Sequence, residues 1–261
     1  NLVAQTWGRQ NIGEGDLIVF SGLEHHSNMV PWQMLAQEKG AKTAHIPVLE
    51  DGSLDQEAYK ALLDRKPKLV AVNQISNALG VINPVKEMIA QAREVGAIVM
   101  IDGAQAIPHL QVDVKELDAD FYAFSGHKVY GPTGIGVLYG KEVLLDAMPP
   151  WRGGGEMIAT VTYEGSTYNT LPHKFEAGTP HIEGGIVLGE AIKFVRSIGL
   201  ENIANQENEL LEYGTTAMQS IDGLKIYGTT SAKTSVISFL VDGTHPYDVG
   251  TLMDQMGIAV R

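Results

Sequence analysis

The stretch Asp120-Phe121-Tyr122-Ala123-Phe124-Ser125-Gly126-His127-Lys128 decides the predicted fold. Residues 121–124 form a short aromatic and apolar run that is typical of a buried strand. In an open α/β sheet, ligands bind beyond the carboxyl ends of the strands, so Ser125, His127 and Lys128 are predicted to face a ligand. A surface lysine in a turn is the alternative for Lys128, since most lysines are exposed.

A second strand end lies just upstream. Residues 97–101 are an uninterrupted apolar run, as expected of a parallel strand covered on both faces, and they lead directly into Asp102-Gly103-Ala104-Gln105. Asp102 alone could equally cap a helix that begins at Ala104. Paired with Lys128, it suits pyridoxal phosphate, which needs a lysine amine for its Schiff base and an acid to keep its ring nitrogen protonated. The pair therefore predicts this cofactor.

Strands alternate with helices along the first 140 residues. Such alternation predicts an α/β fold with a mostly parallel sheet and crossover helices. Asp55 is expected to cap the second of these helices. The predicted strands are 17–20, 44–48, 69–73, 97–101, 121–124 and 135–139, and the predicted helices are 31–38, 54–63 and 84–95.

The pattern changes after residue 140. Residues 160–180 are polar and show no clear periodicity, which predicts an irregular stretch that is functional or packed against a partner. Helices at 183–197, 201–220 and 246–256, with strands at 225–227 and 236–241, indicate a smaller α+β domain. We therefore predict a cofactor-binding large domain over 1–182 and part of a C-terminal small domain over 183–261.

Both ends of the chain have the pattern of interrupted elements. Residues 1–7 are typical of the middle of a helix without a cap, and residues 257–261 of a strand without a following turn. We therefore expect the chain to be an internal fragment of a longer protein.

The composition argues against several classes of function. The formal net charge of −12 disfavours non-specific nucleic-acid binding, which relies on clustered Lys and Arg. No apolar run approaches the roughly 20 residues of a membrane span. The chain contains no cysteine, which excludes disulfides and thiolate metal sites within it and suits a cytoplasmic location.

Two weaker motifs lead to no site. The run Gly131-Pro132-Thr133-Gly134-Ile135-Gly136 lacks the spacing of a dinucleotide fingerprint and precedes a predicted strand, which disfavours a nicotinamide-dependent oxidoreductase. His25, His26 and His127 have no carboxylate or second histidine at helical ligand spacing, so no metal site is predicted.

Five motifs in order resemble the group II cysteine desulfurases. These are the Suf-pathway and selenocysteine-lyase-like enzymes of the class V aminotransferase family, which have fold type I of the pyridoxal-phosphate enzymes. The resemblance covers essentially all of the chain. The motifs are Glu24-His25-His26-Ser27-Asn28-Met29-Val30-Pro31-Trp32, Ser76-Asn77, Asp102-Gly103-Ala104-Gln105, Ser125-Gly126-His127-Lys128 and Glu176-Ala177-Gly178-Thr179-Pro180.

The resemblance implies catalytic roles for two residues. Lys128 would hold pyridoxal phosphate covalently and later move the Cα proton of the substrate. His25 would stack on the cofactor ring, where its flat π-surface fits, and would take part in proton transfer. Asp102 would pair with the pyridinium nitrogen and keep the ring an electron sink. His26 has no matched role and is expected to be a packed or capping histidine.

The resemblance also implies further cofactor contacts. Gln105 would hydrogen-bond the phenolic oxygen, and Asn77 would lie near that oxygen and the substrate carboxylate. Ser125 and His127 would donate hydrogen bonds to the phosphate. Thr179 resembles a family residue that reaches the phosphate of the neighbouring subunit, which implies a homodimer.

The implied reaction converts L-cysteine to L-alanine and leaves the sulfur as an enzyme persulfide for iron–sulfur cluster assembly, with a sulfur-acceptor protein as a candidate partner. Selenocysteine lyase chemistry on L-selenocysteine remains open on the same scaffold. The alternative outside enzymes is a binding or scaffold protein that kept the fold and lost the chemistry. Retention of Asp102 and Lys128 argues against it.

The family's nucleophilic cysteine would follow Arg261, and its Gly-Thr-Thr phosphate-binding stretch would precede Asn1. A later arginine that binds the substrate carboxylate is also absent. We therefore expect that these 261 residues alone lack desulfurase turnover.

Overall fold

A six-stranded sheet forms the centre of the computed structural model, which describes residues 1–261. The strands are β1 (Leu17–Ser21), β2 (Lys42–Ile46), β3 (Leu69–Asn73), β4 (Ile98–Asp102), β5 (Phe121–Ser125) and β6 (Gly136–Gly140). Their order is β2-β1-β3-β4-β5-β6, and every neighbouring pair is parallel except β5 with β6. The predicted α/β fold with a mostly parallel sheet is confirmed.

Helices connect the strands and cover the sheet. The chain enters through a π-helical turn at Ala4–Gly8 and α1. The helices are α1 (Arg9–Asn11), α2 (Val30–Lys39), α3 (Gln56–Leu63), α4 (Val85–Glu94), α5 (Val114–Leu117), α6 (Glu142–Ala147), α7 (Ile182–Ile198), α8 (Leu200–Gln219) and α9 (Pro246–Gln255). No helix is long and apolar enough to cross a lipid bilayer.

The core lies on both faces of the sheet. Leu17 and Val19 of β1 pack into one apolar cluster, and Ile18 and Phe20 of the same strand pack into the other. Alternate residues of a strand point to opposite faces, so a strand covered on both sides must be apolar throughout. This explains the continuous apolar runs in β1 and β3. Each large apolar side chain buried in this way stabilises the fold by about 1.5–3 kcal/mol.

The predicted bounds of β2 were wrong by two residues at each end. The strand spans Lys42–Ile46 because it pairs in register with β1, from Leu17 opposite Lys42 to Ser21 opposite Ile46. Pro47 follows at once, and since proline has no N–H it cannot extend the ladder. The strand therefore ends before the predicted Val48.

Residues 160–180 are only partly irregular, contrary to the prediction. An antiparallel hairpin joins β7 (Ile158–Val161) to β8 (Ser166–Tyr168). The side chains of Thr160 and Thr167 face each other across it, with their hydroxyl oxygens 2.6 Å apart. The sequence pattern missed these strands because they are only four and three residues long and largely exposed, too short to show a period of two.

The C-terminal residues pack against the loop that follows β3. A second hairpin pairs β9 (Leu224–Tyr227) with β10 (Ser238–Val241). Thr234 Oγ1 donates to the Gly80 carbonyl at 3.3 Å, and Ser238 Oγ donates to the carbonyl of Ala78. The predicted helices and strands of this part are confirmed to within two residues. The division into domains at residue 182 stays a prediction.

Candidate active site

Four neighbouring strands of the sheet end at one edge. β1, β3, β4 and β5 are parallel, and their last residues are Ser21, Asn73, Asp102 and Ser125. Asn73 is opposite Asp102 in the register. The segments that follow these strands therefore meet at the same edge, where a parallel α/β sheet binds its ligands.

Lys128 lies in a 3-10 turn, Gly126–Val129, directly after β5. The turn starts at Gly126, whose N–H donates to the Ile135 carbonyl at 2.9 Å, and the Gly131 N–H donates back to Gly126 at 3.0 Å. A Cβ at Gly131 would lie 2.8 Å from that Gly126 oxygen, so the tight return of the chain requires a glycine there. Lys128 is half-buried and its amine forms no ion pair or hydrogen bond. It is therefore available to a ligand.

Ser125 and His127 flank the same turn. Ser125 is half-buried and His127 is exposed. Neither side chain forms a hydrogen bond within the chain, although both are good donors. Together with Lys128 they place three polar groups without protein partners at the end of β5.

Asp102 ends β4 and is half-buried. Its Oδ1 accepts a hydrogen bond from the Ala104 N–H at 2.9 Å, and its Oδ2 accepts none. The alternative that Asp102 caps a helix beginning at Ala104 is wrong, because residues 104–109 form turns and no helix. Asp102 accepts from the Ala104 N–H within these turns instead. Gln105 lies in these turns, half-buried and without a side-chain hydrogen bond. One carboxylate oxygen and one amide thus remain without protein partners at and just after the end of β4.

His25 is exposed in the loop that follows β1. Its Nδ1 accepts a hydrogen bond from the Ser27 N–H at 3.2 Å, so the neutral ring carries its proton on Nε2. His25 thereby caps the 3-10 turn His26–Asn28. The ring of His26 is 5.8 Å from that of His25 and is exposed, so His26 is neither packed in the core nor a cap. No group of three His, Cys, Asp or Glu side chains is close enough to hold a metal ion.

The remaining two predicted residues lie further along the chain. Asn77 is half-buried and lines a cleft between the loop after β3 and residues of β10, together with Arg261. Thr179 is exposed, and its side chain forms no hydrogen bond. Its neighbour Gly178 is tied to Gly155 by a backbone hydrogen bond of 2.9 Å.

A buried glutamate beside His25 was not among the predicted site residues. Glu24 is 7% exposed, and both of its carboxylate oxygens accept hydrogen bonds. Burial raises the pKa of Glu24 to about 8, and its hydrogen bonds with Ser21, Asn28 and Asn73 oppose that rise. The negative charge of Asp102 raises this pKa further. One indication of its burial is present in the sequence: Glu24 lies directly between an apolar residue, Leu23, and His25 of the motif.

Tyr122 is connected to Asp102 through Gln74. Its hydroxyl donates to Gln74 Oε1 at 2.6 Å, and the Gln74 N–H donates to the Asp102 carbonyl at 2.9 Å. Burial raises the pKa of Tyr122, and the nearby Asp102 carboxylate raises it further. Tyr122 therefore stays a neutral donor that links β5 to Gln74, the residue directly after β3.

The model of the class V aminotransferase family matches residues 1–261. The chain belongs to the class V aminotransferase family. This agrees with the sheet order and with the position of Asp102 and Lys128 after neighbouring strands. The predicted resemblance to cysteine desulfurases of this family is also confirmed, as the individual relatives show.

Three relatives illustrate how this class V aminotransferase chain compares with known proteins. A cysteine desulfurase of Enterobacter sp. (strain 638) is 53% identical over 262 residues, which cover 100% of this chain and 64% of the relative. A cysteine desulfurase of Synechococcus elongatus is 51% identical over 261 residues, which cover 100% of this chain and 42% of the relative. A solved cysteine desulfurase from Thermococcus onnurineus NA1 superposes with a TM-score of 0.94 at 41% identity, over 100% of this chain and 65% of that one.

Proposed function

We propose that this chain is part of a pyridoxal-phosphate-dependent cysteine desulfurase. The observation that carries the proposal is the position of Asp102 and Lys128 at the ends of the neighbouring strands β4 and β5, with the Lys128 amine in no ion pair. The chain spans about 64% of its Enterobacter relative. The activity proposed is therefore that of the whole protein to which these residues belong.

The polar groups at this edge fit pyridoxal phosphate. The cofactor needs an amine, an acid for its ring nitrogen and donors for its phosphate, and class V aminotransferases depend on it. Lys128 supplies the amine and Asp102 the acid, while Ser125 and His127 supply donors. All of these side chains except Asp102 are without partners in the chain, and Asp102 keeps Oδ2 free.

Each residue has a definite task in the proposal. When bound, pyridoxal phosphate withdraws electrons from the Cα of an amino acid. Lys128 would hold the cofactor and its amine would then move the Cα proton. Asp102 would keep the ring nitrogen protonated, and His25 would cover the ring face. Gln105 would donate to the phenolic oxygen, and Asn77 would serve that oxygen and the substrate carboxylate.

The proposed substrate is L-cysteine, supported by the names of the relatives that are about 50% identical. The bond between Cβ and sulfur breaks, Cβ takes up a proton to give L-alanine, and the sulfur passes to a thiolate as a persulfide. These 261 residues contain no cysteine, so the thiol must come from outside them. The same names favour cysteine over selenocysteine.

The destination of the sulfur and the assembly state are finer proposals. We propose that the sulfur serves iron–sulfur cluster assembly in the cytoplasm through an acceptor protein. We also propose a homodimer in which Thr179 reaches the phosphate of the second subunit. The exposed apolar side chains of α7, which include Ile186 at 65% exposure and Phe194 at 58%, support such an interface.

The cofactor site is tested by trapping. The chain is mixed with pyridoxal phosphate, its visible absorbance is recorded, and the linkage is reduced with borohydride before peptide mass analysis. We expect a visible band and a modified Lys128. Lys128→Ala should abolish both signals, because Lys128 is the only lysine in the segment that directly follows β5.

Lys115→Ala is the matched control, since Lys115 is an exposed lysine of α5, which precedes β5, whereas Lys128 follows the other end of that strand. It should keep the band and the modification at Lys128. A modification spread over surface lysines, or a band that survives in Lys128→Ala, would contradict the assignment.

A further inference from the structure

Glu24 holds together two separate segments at the edge of the sheet. Its Oε2 accepts a hydrogen bond from Asn28 Nδ2 at 2.6 Å, within the turn that follows His25. Its Oε1 accepts from the Asn73 N–H at 2.7 Å, at the end of β3 and 49 residues away along the chain. Ser21 Oγ also donates to Oε1. The side chain thus links the end of β1, the His25 loop and the end of β3.

The directions of these hydrogen bonds follow from groups that can only donate. The Trp32 indole N–H donates to Asn28 Oδ1 at 3.2 Å, so Asn28 must turn its amide N–H toward Glu24. The backbone N–H of Asn73 is also only a donor. Each of these two donors therefore needs an acceptor oxygen on Glu24, and a carboxyl group offers two oxygens whether protonated or ionised, whereas a carboxamide offers one.

The same network fixes the rest of the loop. Asn73 Nδ2 donates to the Leu23 carbonyl at 2.6 Å, and the Leu23 N–H donates to Ser21 Oγ at 3.2 Å. His25 itself is exposed and bonds only to Ser27, two residues away. The position of the His25 ring thus depends on contacts made by its neighbours.

Glu24 is also linked to the strand that neighbours Asp102, the residue proposed to pair with the cofactor ring. Asn73, to which it bonds, is opposite Asp102 in the sheet register. The negative charge of Asp102 raises the pKa of Glu24. A displacement of the Glu24 network would therefore move His25 relative to Asp102, the two residues assigned to the cofactor ring.

We propose that Glu24 is the positioning residue for His25. Its carboxyl group ties the turn that carries His25 to the end of β3, so that the imidazole is held in place relative to Asp102. The inference rests on the proposed function only through the role of His25 at the cofactor ring. The hydrogen bonds of Glu24 to Asn28 and Asn73 exist in the chain without cofactor, so their effect can be measured in that state.

The test compares Glu24→Gln with Tyr59→Phe in the chain without cofactor. Tyr59 is buried and donates to the Met88 carbonyl at 2.8 Å, so Tyr59→Phe also removes a buried hydrogen bond, but on α3. Amide hydrogen exchange is measured by peptide, and the tautomer of the His25 ring is followed by NMR of its ring nitrogens. For Glu24→Gln we expect exchange of residues 22–29 to rise about tenfold, as for loss of one such bond.

The His25 readout separates positioning from general stability. With its cap loosened, His25 in Glu24→Gln should lose part of its preference for the tautomer that carries the proton on Nε2. Tyr59→Phe should leave the tautomer balance of His25 unchanged and should speed exchange around α3 instead. Unchanged exchange at 22–29, or an equal rise over the whole chain with an unchanged His25 tautomer balance, would overturn the proposal.

Ser21→Ala decides the matter if Glu24→Gln does not fold. It removes one donor to Glu24 and leaves the carboxyl group in place, so the same segment should loosen to a smaller extent. No change at residues 22–29 in this variant would also overturn the proposal. Pyridoxal phosphate is added last. A wild-type chain that fails to bind it would contradict the proposed function, while the exchange result would still decide the role of Glu24.

Discussion

The Cβ that an alanine would add at Gly103 lies 2.0 Å from ring atoms of Tyr122. Tyr122 is buried and hydrogen-bonded to Gln74, so it cannot move away freely. Overpacking of this kind costs about 1–3 kcal/mol or more. We expect Gly103→Ala to lower the free energy of unfolding by at least that amount, measured by urea denaturation.

Gly185→Ala is the control for that measurement. A Cβ there meets nothing within 4 Å, and Gly185 lies inside α7. Since alanine favours a helix over glycine by about 1 kcal/mol, this variant should be as stable as the wild type or more stable. Equal losses in both variants would mean that contact with Tyr122 is not the cause.

Glu24 should make stability depend on pH. Its pKa is about 8 in the folded chain against 4.5 for an ordinary glutamate, so between these values the folded state holds a proton that the unfolded state has released. The free energy of unfolding should therefore fall as pH rises through this window, by at most about 1.4 kcal/mol per pH unit. The stabilising contribution is complete below pH 4.5 and is lost above about 8.

Glu24→Gln cannot ionise, and its loss of a hydrogen bond is the same at every pH. The difference in unfolding free energy should therefore shift in favour of the glutamine variant between pH 5 and pH 8, as followed by urea denaturation. Parallel pH curves for the two proteins would show that burial does not perturb this carboxyl group.

At the scale of elements, α3 shows how one side chain sets where a helix begins. Asp55 Oδ1 accepts hydrogen bonds from the N–H groups of Glu57 and Ala58, at 3.0 and 2.9 Å. Asp55→Ala should lower the unfolding free energy by about 1 kcal/mol, whereas Asp55→Asn, which still caps, should lose much less. Thermal or urea denaturation measures both, and equal losses would argue against capping.

At the scale of the whole molecule, α7 presents apolar side chains to solvent. Ile182 is 59% exposed, Ile186 65% and Phe194 58%. If this face forms the proposed homodimer, Ile186→Glu should give a monomer, because a charge would be buried without a partner. Sedimentation velocity measures the mass. Tyr213→Glu, at the 76% exposed Tyr213 of α8, should leave the assembly unchanged, and a monomeric wild type would contradict the proposal.

Much of the site could be predicted because its signals are local. A buried parallel strand is a continuous apolar run, and Asp102 and Lys128 follow such runs directly. Asp55 could be identified as a cap for the same reason, since a cap acts within three residues. The predicted start of β2 failed because it depends on which residue of β1 lies opposite it, and that register joins residues 25 apart.

The α/β fold class, the family and the residues that end the central strands could all be predicted from consecutive residues. The order of the strands, and with it which strand ends meet, became known from the folded chain. The same is true of the burial of Glu24, because its partner Asn73 belongs to a strand that becomes a neighbour only once the sheet has formed. Local periodicity is written into consecutive residues, whereas burial of a polar group depends on segments far apart in the chain.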